Sequence, residues 1–149
     1  MKTDYSDIKF KNRLGFQDGE GVYIVPVNFG FAWEDGKRVL YFHGAAKGKK
    51  IDLAAKQPRV GFEMDCRHKL LENEEACEYS FCYESVIGQG NIRLVEELEE
   101  KKAALKSIML QYSGRDNWEF PEAVVKRTAV LRLEVTELTC KARPQSIPF

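Results

Sequence analysis

Val22-Tyr23-Ile24-Val25-Pro26-Val27-Asn28-Phe29-Gly30-Phe31-Ala32-Trp33 is apolar at positions of both parities, whereas a strand with one wet face alternates. It reads as one long strand with both faces covered. One face lines a barrel or sandwich core, and the other meets a second subunit, a ligand, or both. Pro26 cannot donate to a β-ladder, so it marks a bulge or an edge where pairing lapses. Asn28, two residues on, shares that face and offers both a donor and an acceptor. An edge strand with a capped turn is the competing reading.

Outward from this stretch, Asn12 to Phe16 reads as a short strand, and Gln17-Asp18-Gly19-Glu20-Gly21 as a hairpin turn. On the other side, Glu34-Asp35-Gly36-Lys37 turns the chain into a strand from Arg38 to His43. Lys49 to Lys56 forms a short helix that stops before Pro58, and Arg59 to Asp65 is a strand. The polar run Cys66 to Ala76 reads as a loop, and Cys77 to Val95 as a strand bent near Gly88 or Gly90. Glu96 to Tyr112 has helical periodicity, with Leu98, Ala104 or Leu105, Ile108 and Met109 on one face, glutamates first and lysines later, as the helix dipole favours. Ala129 to Glu137 alternates as a last strand with one wet face, and Lys141 to Phe149 reads as an irregular tail. Strands without a strand-helix rhythm predict a mainly β fold, an antiparallel β-barrel with accessory helices, in one domain spanning 1–149.

The segment Tyr41-Phe42-His43-Gly44-Ala45-Ala46-Lys47-Gly48-Lys49-Lys50-Ile51-Asp52-Leu53 carries the chemistry. An apolar strand runs into glycines, lysines and a helix start, where unpaired N–H groups and the positive end of the dipole favour an anion. A merely solvated turn is the alternative. Lys+Arg and Asp+Glu both number 23, so no global field draws the chain to nucleic acid or to an anionic membrane, and anion binding must be local. No apolar run reaches membrane-spanning length and Met1 to Asp7 lacks a signal-peptide centre, which predicts a cytoplasmic protein. Cys66, Cys77, Cys82 and Cys140 are then expected as thiols. A zinc site from Cys66, His68, Cys77 and Cys82 lacks the paired short spacing that such sites show, so no metal is expected.

Several separated motifs together resemble the FMN-binding split β-barrels related to pyridoxamine 5′-phosphate oxidase, in the branch that includes the nitroimidazole-resistance proteins. They are Arg13-Leu14-Gly15-Phe16, Val25-Pro26-Val27-Asn28-Phe29-Gly30, Leu40-Tyr41-Phe42-His43-Gly44-Ala45 with Gly48-Lys49-Lys50, Pro58-Arg59-Val60 with Phe62-Glu63, and Tyr83-Glu84-Ser85-Val86-Ile87-Gly88. The resemblance implies a homodimer with one FMN in each of two clefts at the subunit interface. By the same likeness, Val25, Pro26, Val27 and Asn28 present their backbone to the isoalloxazine, Phe42 and His43 sit beside the flavin and its ribityl chain, Lys49 and Lys50 contact the phosphate, and Ser85 lies near the cofactor. Val25, Val27 and Phe42 are expected to form a slot for the ring. Many relatives carry a basic segment and a helix before the first strand, where this sequence has only the arm Met1 to Asn12.

The activity implied is electron transfer from a reduced nicotinamide to a small organic acceptor such as a nitroaromatic. A flavin carrier or sensor, and a haem-binding relative on the same barrel, are the alternatives. His43 is the candidate catalytic residue, as proton donor or as an orienting group for phosphate or ribityl hydroxyls. His68 is expected at the surface, Trp33, Trp118 and Phe120 as a lid or as core and interface anchors, and Cys77 and Cys82 as packing residues. The tail from Lys141 lacks the arginine and histidine pattern with which pyridoxamine 5′-phosphate oxidases hold substrate, which disfavours that activity.

Overall fold

A computed structural model describes residues 11–143, so the arm up to residue 10 and the tail from residue 144 lie outside the described residues. β1 (Lys11–Asp18) and β2 (Gly21–Val27) form the first hairpin, turned at Gly19 with φ of 61°, a left-handed value that glycine adopts without strain. β3 (Gly30–Glu34) and β4 (Lys37–Ala45) form the second, followed by α1 (Lys49–Lys56). β5 (Arg59–Leu71) and β6 (Ser80–Val95) enclose a 3₁₀ turn at Ala76–Glu78. α2 (Leu98–Ser113), α3 (Glu122–Arg127) and β7 (Thr128–Arg143) complete the described chain.

All strand pairs are antiparallel, in one sheet of order β2-β1-β5-β6-β7-β4-β3. The outermost strands β2 and β3 are joined only by Asn28 and Phe29. So short a link spans roughly 10 Å at full extension, so the sheet must curl until its two edges meet. No ladder closes them, and the result is a split β-barrel. The stretch from Val22 to Trp33 is therefore two strands on opposite edges and not one. Composition hides the break because both segments are apolar. Gly30 explains where the chain can cross: α2 lies against it so closely that a Cβ there would overlap Ser107 Oγ and stand 2.6 Å from the Ile108 nitrogen.

Leu14, Phe16, Leu40, Phe42, Phe62, Leu131 and Leu133 fill the barrel, and α1 closes one end with Leu53 and Ala54. A second core forms where Ala104, Leu105 and Ile108 of α2 and Val125 of α3 cover Val39, Tyr41 and Val130 on the outside. β4 is thus the strand buried on both faces. β2 is not: Val22 and Ile24 are 67% and 64% exposed, so its outer face is open within one chain.

Beside α2, Arg132 joins Glu34 at 2.9 Å and Glu134 at 3.3 Å, and the Tyr41 hydroxyl donates to Glu34 at 2.7 Å. Burial pushes the Tyr41 phenol up to about 12, and the hydrogen bond from Arg132 holds the Glu34 carboxyl below its usual range. This network ties β3, β4 and β7 together.

Cross-strand pairing extends what composition suggests. The run from Cys66 continues β5 to Leu71, because Lys69, Leu70 and Leu71 pair with Cys82, Phe81 and Ser80 beyond a bulge. At that bulge Arg67 has φ of 56°. The register of β6 against β7 shifts between Gln89 and Gly90, near the expected bend. Lys141 to Arg143 belong to β7 and not to an irregular tail, and α3 stands where the sequence suggested no helix.

Candidate functional site

β3 bonds to β4 only as far as Tyr41, so the same edge of Phe42, His43, Gly44 and Ala45 faces the split. β2 is the strand across it. The chain then turns into α1 at Gly48, where φ of 149° suits only glycine and no side chain caps the helix. Asp52 N–H to Gly48 O, 3.2 Å, is the first helical bond, which leaves the earlier N–H groups for an anion.

The two expected phosphate lysines part at this point. Lys49 turns toward the β1–β2 hairpin, with Nζ 2.7 Å from Asp18 and 4.6 Å above the ring centroid of Tyr23. Lys50 turns toward β4, where its Nζ stands 3.2 Å from the place a Cβ on Gly44 would take. The pair straddles the split. A Cβ on Gly44 would crowd the Lys50 ammonium by a few tenths of an ångström. His43 is exposed at this end of β4, and partial desolvation together with the Lys50 charge lowers its pKa, so the imidazole is neutral at neutral pH.

Other expected side chains point elsewhere. Phe42 is 1% exposed inside the barrel, and half-buried Val25 and Val27 pack against the same core within one chain. What these residues turn to the split is backbone. Pro26 sits opposite Arg13 on the edge strand with its side chain exposed, and Asn28 is exposed in the link between the edges. Ser85 lies on β6, outside the barrel, donating to the Lys141 carbonyl at 3.3 Å, with β5 and β1 between it and β2. It shares a shallow hollow with Glu63, Asp65, His68, Phe81 and Tyr83.

His68 is half-buried, 3.5 Å from Asp65, and not simply a surface side chain. Trp33 is exposed with Arg38 over its ring, Trp118 donates to Ser113 Oγ at 2.9 Å, and Phe120 packs on the second core. Cys82 is buried and Cys77 exposed, while burial pushes the Cys66 thiol up. Among the described residues no three His, Cys, Asp or Glu side chains gather as metal ligands, and no helix is long and apolar enough to cross a membrane. Asp18 and Tyr23 were missed from sequence: both read as hairpin residues, and nothing local announces their contact with Lys49.

The split between β2 and β4 thus ends at two lysines and a helix start that no side chain caps. The chain belongs to the pyridoxamine 5′-phosphate oxidase family, whose model matches residues 10–142. A solved structure of a candidate 5-nitroimidazole antibiotic resistance protein from Bacteroides thetaiotaomicron is 30% identical, over 87% of this chain and 75% of that one, with a TM-score of 0.73. The flavocytochrome Anf3 from Azotobacter vinelandii shares the fold at 19% identity, covering 90% of this chain and 62% of its own, with a TM-score of 0.71. An FAD and heme binding protein from Mycobacterium smegmatis does so at 14% identity, 93% and 67% coverage, and a TM-score of 0.71. No curated protein sequence matches the chain.

Proposed function

We propose that this protein is a homodimeric FMN-binding oxidoreductase that moves electrons from a reduced nicotinamide to a small organic acceptor such as a nitroaromatic. The observation that carries the reading is the placement of Lys49 and Lys50 on the two sides of the split at the start of α1. A phosphate there is met by two ammonium groups and free helix N–H groups. The unpaired backbone edges of β2 and β4 suit the polar rim of a flat ring. The relative at 30% identity, named for 5-nitroimidazole resistance, supports the class of acceptor.

Bound flavin supplies the redox chemistry, taking up and passing on an electron pair. The chain's own residues bind and orient. Lys50 and the first α1 amides hold the phosphate, and Lys49 exchanges Asp18 for it. Pro26 leaves one strand position without an N–H, which sets where β2 can donate to the ring. His43, neutral at this end of β4, accepts or donates one hydrogen bond toward the ribityl chain and carries a proton only as the pH falls below its lowered value.

Dimerisation is supported by the open outer face of β2. Val22 and Ile24 are exposed there, and Gly15 and Gly61 form a side-chain-free floor opposite Ile24 in register.

The test is the absorbance spectrum of purified protein, with mass identification of any released chromophore and anaerobic addition of NADH or NADPH. Bleaching of bound FMN and its return with a nitroaromatic are expected. A yellow protein that no nicotinamide bleaches is a carrier, and FAD in place of FMN overturns the cofactor assignment.

A further inference from the structure

We propose that the apolar hollow at the barrel end away from α1 binds a small amphiphilic carboxylate, with Arg38 as the receptor for its charge. The hollow encloses about 300 Å³. Leu40, Phe62, Met64, Val135 and Leu138 are among its walls, Phe31 contributes from β3, and Arg38 and Gln111 are its polar lining residues. A dry cavity of about 150 Å³ accepts benzene. Twice that volume suits a two-ring aromatic or a chain of roughly eight to ten carbons.

The hollow exists because α1 fills only the other end of the barrel and β3 is a strand of only five residues. Arg38 gives it chemical direction. Its guanidinium carbon lies 4.9 Å from the Trp33 ring centroid, a stack that holds the fork in place. Arg13, Arg59, Arg67, Arg93 and Arg132 each reach a carboxylate; the Arg38 guanidinium, like that of Arg115 stacked on Trp118, meets no ion pair or hydrogen bond among the described residues, and of these two only Arg38 lines the hollow. An aligned, uncommitted guanidinium at the rim of an apolar hollow fits a ligand with a carboxylate at one end and a hydrocarbon body at the other. Neutral apolar molecules leave the fork unused, and small polar anions leave the hollow unfilled.

This site is separate from the lysine pair. β4 has nine residues and runs for about 30 Å, with Arg38 near its start and the lysine loop beyond its end.

Calorimetric titration of the full chain with 2-naphthoate, beside its neutral counterpart 2-naphthylmethanol, tests the proposal. Naphthoate is expected to bind once per chain. Arg38→Met should weaken it about 10- to 100-fold and leave the alcohol unchanged, Leu138→Trp should block both, and Lys50→Ala should alter neither. Arg38 is exposed, so the Met variant should keep the thermal unfolding midpoint of the parent. Absence of naphthoate binding, an unchanged affinity in Arg38→Met, or displacement of naphthoate by FMN would each overturn it. So would a dimer that loosens on Trp33→Ser while naphthoate fails to bind, which would give the hollow to a subunit interface.

Discussion

Replacing Lys50 by Ala should weaken FMN far more than it weakens riboflavin, and more than replacing Lys49 does. Two unit charges about 4 Å apart attract by about 4 kcal/mol at the effective dielectric of a protein surface. Lys50 is half-buried and its ammonium rests on Gly44, but solvent still screens it. A charge-assisted hydrogen bond of about 1.5–3 kcal/mol is the realistic loss, a rise in Kd of roughly 10- to 150-fold. Lys49 is exposed and already offset by Asp18 at 2.7 Å, so a phosphate would gain less from it. Asp18→Asn should then tighten FMN, because it removes a competing carboxylate and releases Lys49. The assay is quenching of flavin fluorescence by the protein, run with FMN and with riboflavin, which lacks the phosphate. At 0.01 M salt the differences should grow, since screening extends over about 30 Å there and about 8 Å at 0.15 M. An FMN affinity unchanged in Lys50→Ala, an equal loss for riboflavin, or a weaker FMN complex in Asp18→Asn would refute the reasoning.

Other expectations concern the frame around the site. Gly30→Ala should cost about 1–3 kcal/mol in urea unfolding, since the new methyl meets the backbone of α2. Asn12 is 3% exposed and neither amide atom has a hydrogen-bond partner among the described residues, so Asn12→Leu should stabilise the protein by about 1–3 kcal/mol, and a loss would mean that the amide has a partner in solution. The depressed carboxyl of Glu34 contributes stability that is fully present above its unfolded value near 4.5 and is lost as the pH falls through its lower folded value. Glu63, raised by burial, contributes in the opposite sense and is untouched by changes at Arg132. Arg132→Met should therefore flatten the acid limb of the stability profile, and an unchanged slope would remove Glu34 from the account. The His43 imidazole should titrate below its ordinary value in the free protein and rise on adding FMN, read from its ring resonances; a fall would place the phosphate elsewhere.

Much of the frame was legible because local chemistry and tertiary structure agree. Lys49 to Lys56 lies between Gly48 and Pro58, and its helix bounds emerge unchanged. The hairpin at Asp18 and Gly19, the amphipathic face of α2 and the irregularity near Gly88 and Gly90 follow equally from turn chemistry and period. Legibility failed where both parities are apolar. Val39, Leu40, Tyr41 and Phe42 are all buried, two on each face, so alternation cannot say which of them turns to a ligand. The place of Phe42 beside a flavin is implied by the family resemblance alone, and within one chain its side chain lies in the core. The break between β2 and β3 was hidden for the same reason, since a continuous apolar run does not record on which sheet edge each half lies. Polar composition misled at Cys66 to Leu71, where pairing with β6 outweighs it. The Lys49 to Asp18 contact depends on barrel closure and has no local signal.

On the reading proposed above, the split between β2 and β4, bridged by Lys49 and Lys50, holds flavin mononucleotide. Backbone amide shifts of isotopically labelled protein, followed while FMN is added, test it most directly. The largest changes should fall on Tyr23 to Asn28 and on Phe42 to Ile51, saturating at one FMN per chain. Changes centred on Arg38 and Leu138, or none at the lysine loop, would contradict it.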